Sequence, residues 1–196
     1  MNSVQAVFLD RDGVINEEVD LLHREDQLAL IPGAAEAIRR LNDTGILVIV
    51  VTNQPAVARN LCTEADVRRI HARLAEMLRQ AAGARLDGVY YCPHHPEKHH
   101  ADGNPAYRID CDCRKPGIGM LEEARRAFGL DYARCYMVGD TTRDIQAGRN
   151  AGCRTILVRT GYGGRDGKCQ VQADLVVDDL AAAAGVVIGA SRAEGP

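Results

Sequence analysis

The sequence predicts an α/β fold, a doubly wound parallel sheet with helices on both faces. Three observations lead there. Short apolar runs rich in β-branched residues alternate with segments of helical spacing along the chain, the pattern of strand–helix–strand units. The 196 residues are 46% hydrophobic and 26% charged, ordinary globular usage that excludes a disordered or fibrous chain. The polar residues best suited to chemistry stand at the ends of the apolar runs, where ligands bind in such sheets.

Val4–Leu9 is a β-branched run broken by Asp10-Arg11-Asp12, which predicts the first strand. Ala34–Leu41 has helical spacing after Pro32-Gly33 and stops at Asp43-Thr44-Gly45. Ile46–Val51 is apolar throughout, as a strand covered on both faces should be. Thr63 with Asp66 makes a capping pair, and Val67, Ile70, Leu74, Met77 and Leu78 line one face of the helix that follows. Gly88–Tyr91 predicts a third strand, followed by an irregular stretch as far as Lys115. Gly119–Phe128 reads as a helix, Cys135–Val138 as a strand and Asp144–Asn150 as a helix. Arg154–Val158 and Leu175–Val177 read as the last strands. Residues 1–190 are expected to form a single domain and Ser191–Pro196 a dispensable tail.

Lys and Arg supply 24 positive charges against 27 negative charges from Asp and Glu. The resulting net charge of -3 leaves no basic surplus for a polyanion. Aromatics at 4%, with no Trp, leave few platforms for stacked bases, so no nucleic-acid partner is expected. Ile46–Val51 and Leu180–Ala190 fall short of the ~18 apolar residues of a membrane span. Met1–Leu9 lacks the basic start of a secretory signal. The expectation is a cytoplasmic monomer with reduced thiols and no membrane partner. An odd count of seven Cys suits a disulfide framework poorly. Cys62, Cys135, Cys153 and Cys169 read as buried or idle thiols.

The first strand delivers Asp10-Arg11-Asp12-Gly13, the second Thr52-Asn53-Gln54 and the fourth Gly139-Asp140, with Asp144 one helical turn on. Arg114-Lys115-Pro116 precedes the helix leading to the fourth strand. Taken singly, these are turn, cap and solvated surface residues as readily as they are chemistry. Together, along one sheet edge, they gather carboxylates, a hydroxyl and a lysine. Carboxylates so placed repel one another unless a cation lies among them, and all-oxygen donors suit Mg²⁺.

Cys92-x-His94 and Cys111-x-Cys113 flank the insert 95–110. Three thiolates and an imidazole match tetrahedral Zn²⁺ with no open position, hence a structural site in a loop of about 92–113. His95, His99 or His100 could replace His94 as the fourth ligand. A redox dithiol is the other reading, although a Cys-x-Cys spacing strains a local disulfide. This loop runs into Arg114-Lys115, so a metal there would position catalytic charge.

On these residues the chain resembles the haloacid-dehalogenase-like phosphatases over nearly its whole length. Asp10-Arg11-Asp12-Gly13-Val14, Thr52, Lys115 and Gly139-Asp140 with Asp144 match the four family motifs. Leu9–Asn16, Thr52-Asn53-Gln54, Tyr90–Pro96 and Cys111–Pro116 narrow the likeness to the small phosphatases of D-glycero-D-manno-heptose 1,7-bisphosphate. That resemblance implies a Rossmann-like, capless fold, catalytic Mg²⁺, structural Zn²⁺ and hydrolysis of a sugar 7-phosphate on the way to lipopolysaccharide heptose. The short span between Asp10 and Thr52 agrees with the absence of a cap. By resemblance, Asp10 is the nucleophile that forms an aspartyl phosphate, and Asp12 is the general acid and base. Thr52 and Lys115 hold the phosphoryl oxygens. Asp10 and Asp140 bind Mg²⁺ through side chains, and Asp12 through its backbone carbonyl. Asp144 stands between a supporting role and a plain helix surface. No histidine base is required, so His71 reads as helix surface. Specificity falls to the loops bearing Glu18, Val19, Asp20, Leu21, Asn53, Gln54 and Pro55. Arg114 is expected to take the second phosphate, with Arg59 as a weaker candidate.

Several positions depart from the family pattern. Val14 replaces a frequent Thr, Pro55-Ala56 stands where Ser-Gly is usual, and Asn60 replaces a common Gly. The loop Glu17–His23 lacks the usual Gly-Tyr. These changes spare the phosphoryl machinery and leave the sugar open. A histidinol-phosphate phosphatase, whose cationic leaving group would suit Glu17, Glu18 and Asp20, stands as the alternative. A zinc-stabilised binding module without turnover is opposed by the retention of Asp10, Asp12, Lys115 and Asp140.

Overall fold

The computed structural model describes residues 3–96 and 103–193. Strands β1 (Ala6–Leu9), β2 (Leu47–Asn53), β3 (Gly88–Cys92), β4 (Cys135–Gly139), β5 (Arg154–Val158) and β6 (Leu175–Val177) pair in parallel in one sheet. Their order is β3-β2-β1-β4-β5-β6, the doubly wound arrangement expected from the alternation. Successive strand residues point to opposite faces, so Val7 and Leu9 join one core and Ala6 and Phe8 the other.

Helices α1 (Ala34–Asp43), α2 (Glu64–Ala82) and α5 (Leu180–Ala193) cover the first face. Helices α3 (Gly119–Phe128) and α4 (Thr142–Ala151) cover the other, α4 pressing Gly148 close to Met137 and Thr155. Ile38 and Leu41 of α1 are fully buried, each contributing roughly 1.5–3 kcal/mol over an exposed position. Helix α2 begins at Thr63, whose hydroxyl accepts from Asp66 N while the Asp66 carboxylate accepts from Thr63 N.

Two features differ from the sequence reading. The run from Leu180 is a helix that continues to Ala193, so Ser191–Ala193 are helical, and 194–196 lie outside the described residues. An alanine-rich run carries little polar contrast between its faces, so periodicity did not reveal it, although its propensity is high. His71 is buried at 7% exposure, not on the helix surface, because α2 packs that side against the loop after β1. No helix among the described residues is long and apolar enough to cross a membrane.

Candidate active site

Leu9 of β1 pairs with Val50 on one side and Val138 on the other. Asp10, Thr52 and Asp140 therefore emerge side by side at the carboxyl edge, where the strand order reverses direction. They line a cavity of about 280 Å³. Of the residues expected there, Asp12, Glu18, Asp20, Leu21, Asn53, Pro55, Arg59 and Arg114 also line it. Val19 is 41% exposed and lies outside the lining. Gln54 is buried behind it, donating from Nε2 to Asp12 Oδ2 at 2.9 Å and to Thr52 Oγ1 at 3.0 Å.

Lys115 is only 1% exposed, which excludes a solvated charge. Its Nζ lies 3.0 Å from Asp10 Oδ1 and 2.6 Å from Asp144 Oδ1, and donates to Val51 O at 2.7 Å. Asn53 clamps the lysine backbone: Lys115 N donates to Asn53 Oδ1 at 3.0 Å, and Asn53 Nδ2 donates to Lys115 O at 3.2 Å. The second oxygen of Asp144 accepts from Thr141 N at 3.0 Å and Thr141 Oγ1 at 2.6 Å. With both oxygens engaged and 1% exposure, Asp144 is a buried support for Lys115 and not a helix-surface residue.

Burial, then the charge of Asp144, raises Asp10 to about 6 against the opposing pull of Lys115. Burial, with Asp144 and Asp10, raises Asp140 to about 9. Burial would lower Lys115, but Asp10 and Asp144 keep it above the ordinary lysine value. Asp12 behaves oppositely: burial would raise it, yet Arg11 and hydrogen bonds from Asn16 and Gln54 hold it below the usual carboxylate range. Glu18 at the mouth is pushed to about 7, by burial first and Asp12 second.

Among the described residues, oxygens of Asp10, Asp140 and Asp144 lie within 4.8 Å of one another. Asp140 Oδ2 accepts from Tyr162 N at 2.8 Å, whereas its buried Oδ1 has no hydrogen-bond partner. An orphaned carboxylate oxygen in an all-oxygen, mutually repelling cluster fits a hard divalent cation such as Mg²⁺. Gly13, at φ +74°, and Gly161 pack against this carboxylate so closely that a Cβ at either position would collide with it.

The sulfur cluster is equally well defined. Cys92, Cys111 and Cys113 Sγ atoms are 3.1, 3.2 and 3.5 Å apart, and His94 Nδ1 lies 3.4 Å from Cys113 Sγ and 3.7 Å from Cys92 Sγ. The sulfurs are closer together than the ~3.8 Å edge of a tetrahedron with ~2.3 Å Zn–S bonds, so the cluster would open slightly around an ion, and all three thiols are free. Burial pushes the Cys92 and Cys113 thiols up, so a metal would have to displace their protons. Among the described residues the imidazole that joins the three sulfurs is that of His94; His95 lines the cavity instead, and His99 and His100 lie outside the described residues. Arg114 Nη1 donates to His94 O at 3.0 Å, joining this loop to the cavity wall.

Arg143, Tyr162 and Lys168 also line the cavity, and no motif pointed to them. The available signal was the stretch Gly161, Gly163 and Gly164 after β5, one more loop at a carboxyl end. Arg114 is held down to about 10 by burial first and by Arg143 second. Arg59, Arg114 and Arg143 thus line the cavity close enough for their charges to act on one another.

Residues 7–82 match the model of the haloacid dehalogenase-like hydrolases, and residues 112–183 match a second, HAD-hydrolase-like model. The chain is 46% identical over 184 residues to the D-glycero-D-manno-heptose-1,7-bisphosphate 7-phosphatase of Thermosynechococcus vestitus, covering 91% of this chain and 92% of that protein. It is 44% identical over 163 residues to the D-glycero-beta-D-manno-heptose-1,7-bisphosphate 7-phosphatase of Escherichia coli, covering 81% of each. A crystal structure of D,D-heptose 1,7-bisphosphate phosphatase from B. bronchiseptica, complexed with magnesium and phosphate, superimposes with a TM-score of 0.82 at 34% identity. That match covers 94% of this chain and 98% of the other. With its strand-edge carboxylates, buried lysine and Cys/His loop in place, the chain belongs to the haloacid-dehalogenase-like phosphatases, in the family of the heptose-1,7-bisphosphate 7-phosphatases.

Proposed function

We propose that this chain is a Mg²⁺-dependent phosphomonoesterase that removes the 7-phosphate of D-glycero-D-manno-heptose 1,7-bisphosphate through an aspartyl phosphate on Asp10. The observation that carries the chemistry is the buried Asp10–Lys115–Asp144 group beside the orphaned oxygen of Asp140. The names of the relatives supply the sugar.

Asp10 and Asp140, with the Asp12 backbone carbonyl, would hold Mg²⁺, whose charge offsets the repulsion between the phosphate dianion and an attacking carboxylate. Lys115, fixed by Asp144 and the Val51 carbonyl, adds a preorganised positive charge for the phosphoryl oxygens. Thr52 offers its hydroxyl to the same oxygens. Asp10 attacks phosphorus, and the sugar oxygen leaves with a proton from Asp12. Water then attacks the aspartyl phosphate while Asp12 takes its proton. Asp12 is anionic at rest, which suits the base step; the dianion approaching it raises its proton affinity for the acid step.

Glu18, Asp20, Leu21 and Pro55 border the sugar, and Arg114 takes the distant phosphate, with Arg143 and Arg59 also lining the cavity. Cys92, His94, Cys111 and Cys113 would hold Zn²⁺ and so fix the loop that carries Arg114. We read the chain through Ala193, where the last helix ends, as one domain of a monomeric cytoplasmic enzyme. The test is a panel of specificity constants with Mg²⁺ present. The heptose bisphosphate should give the highest value; a higher value for histidinol phosphate, whose cation would suit Glu18 and Asp20, overturns the substrate assignment.

A further inference from the structure

Arg11 follows the nucleophile in the chain and is completely buried. Its Nη2 donates to both oxygens of Asp12, at 2.8 and 2.7 Å, and to Gln54 Oε1 at 3.0 Å, while Nε reaches Asp12 Oδ1 at 3.1 Å. That side of the guanidinium sets where the Asp12 carboxylate points. Asn16 Nδ2 completes the cradle, donating to Asp12 Oδ1 at 2.8 Å.

The remaining nitrogen, Nη1, lies 3.1 Å from Nε2 of His71 on α2. A guanidinium has only donors, so Nε2 must accept and the ring is neutral, with its proton on Nδ1. Burial, and after it the charge of Arg11, favours the same state by lowering His71 to about 3. Tyr91 meets the imidazole edge-on at 5.5 Å between ring centroids, restricting its rotation. The helix and the catalytic loop are thus joined through one acceptor atom.

We infer that His71 is a positioning residue for the proton-transfer steps: its neutral imidazole anchors Arg11, which in turn holds Asp12 in the orientation from which it exchanges protons with the leaving group and water. The inference rests on the reading of Asp12 as general acid and base. Removing the acceptor leaves a buried N–H of Arg11 unsatisfied, which is costly enough to shift the guanidinium and Asp12 with it.

The test compares two substrates in the Mg²⁺-loaded full chain. A sugar phosphate expels an alkoxide and needs the proton, whereas p-nitrophenyl phosphate expels a stable phenolate and does not. General acid–base catalysis contributes on the order of 10²–10⁴, so a partial misalignment in His71→Leu should lower kcat on the sugar phosphate about tenfold with little change in KM. The loss on p-nitrophenyl phosphate should be much smaller. His71→Gln, whose carbonyl can accept from Nη1, should recover most of the sugar-phosphate turnover. Should the leucine variant not fold, His71→Asn, which is polar but too short to keep the acceptor in reach, is read in the same way. Equal losses on both substrates, no loss at all, or a folded glutamine variant as impaired as leucine would each overturn the inference. Failure of the wild-type chain to hydrolyse either phosphate would instead overturn the phosphatase reading beneath it.

Discussion

The two donor clusters that meet at Arg114-Lys115 are built on opposite principles. In the sulfur cluster, three thiols and one imidazole crowd within contact of one another, Cys92 is fully buried, and none of the four lines the cavity. In the oxygen cluster, two of three buried carboxylates share one lysine, one oxygen of the third, Asp140, has no partner, and the group opens onto a 280 Å³ cavity. A closed donor set uses its whole coordination capacity for the fold. An open set keeps charge uncompensated for a ligand, at a cost in stability. The first should therefore matter chiefly to folding and the second chiefly to turnover.

The sharpest way to break this comparison is Asp10→Asn. A neutral amide cannot form the aspartyl phosphate, so turnover should fall by on the order of 10⁴-fold or more. Thermal stability should be unchanged or higher, because burial and Asp144 already disfavour the ionised Asp10. Substantial residual turnover in a folded variant would falsify the covalent mechanism.

Cys111→Ser tests the other cluster. It should lower zinc content and stability together, by several kcal/mol and about 10 °C in Tm, as read by elemental analysis and calorimetry. Brief EDTA treatment of the unaltered chain should instead remove activity that Mg²⁺ alone restores, with the fold retained. Reduced, freshly purified protein free of zinc would collapse the distinction.

Asp144→Asn probes the support beneath Lys115. Outer partners of a charged site typically carry about 10–100-fold in activity, and a kcat loss in that range is expected. A variant with wild-type kcat would show that the Val51 carbonyl and Asp10 suffice to hold the ammonium.

The smallest expected effect is the most specific. Arg114→Ala should reduce kcat/KM for the heptose bisphosphate about tenfold, the worth of a charge-assisted contact to a remote phosphate. Turnover of p-nitrophenyl phosphate should change far less. Equal losses on both would move Arg114 to the transferred phosphate, or to the loop it braces through the His94 carbonyl.

Much of this architecture is legible in the residues because it is set locally. The ranges of α3, β5 and β6 agree with the pattern of apolar positions, and Thr63 caps α2 as its spacing with Asp66 suggests. The edge carboxylates are legible because a strand that ends in Asp can present it only at the carboxyl edge. The Cys/His quartet is legible because four such donors in two pairs have few other uses.

Tertiary structure alone decided the rest, since those roles depend on what each side chain meets from elsewhere in the chain. His71 follows Ile70 on α2, and nothing nearby shows that Arg11, distant in sequence, will face it. Asp144 could have been an ordinary capping residue until Lys115 arrived at its other oxygen. Arg143, Tyr162 and Lys168 entered the cavity because the loop after β5 folds back over Asp140, with Tyr162 N on its carboxylate and Gly164 N on its carbonyl. The sequence by itself determined the strands, the caps and the kinds of donor at the sheet edge, because backbone periodicity and short-range hydrogen bonds act within a few residues. Which charges are paired, which are buried and which oxygen is left for a cation was decided only when distant segments packed together, because desolvation and Coulomb energies depend on distance in space and not along the chain.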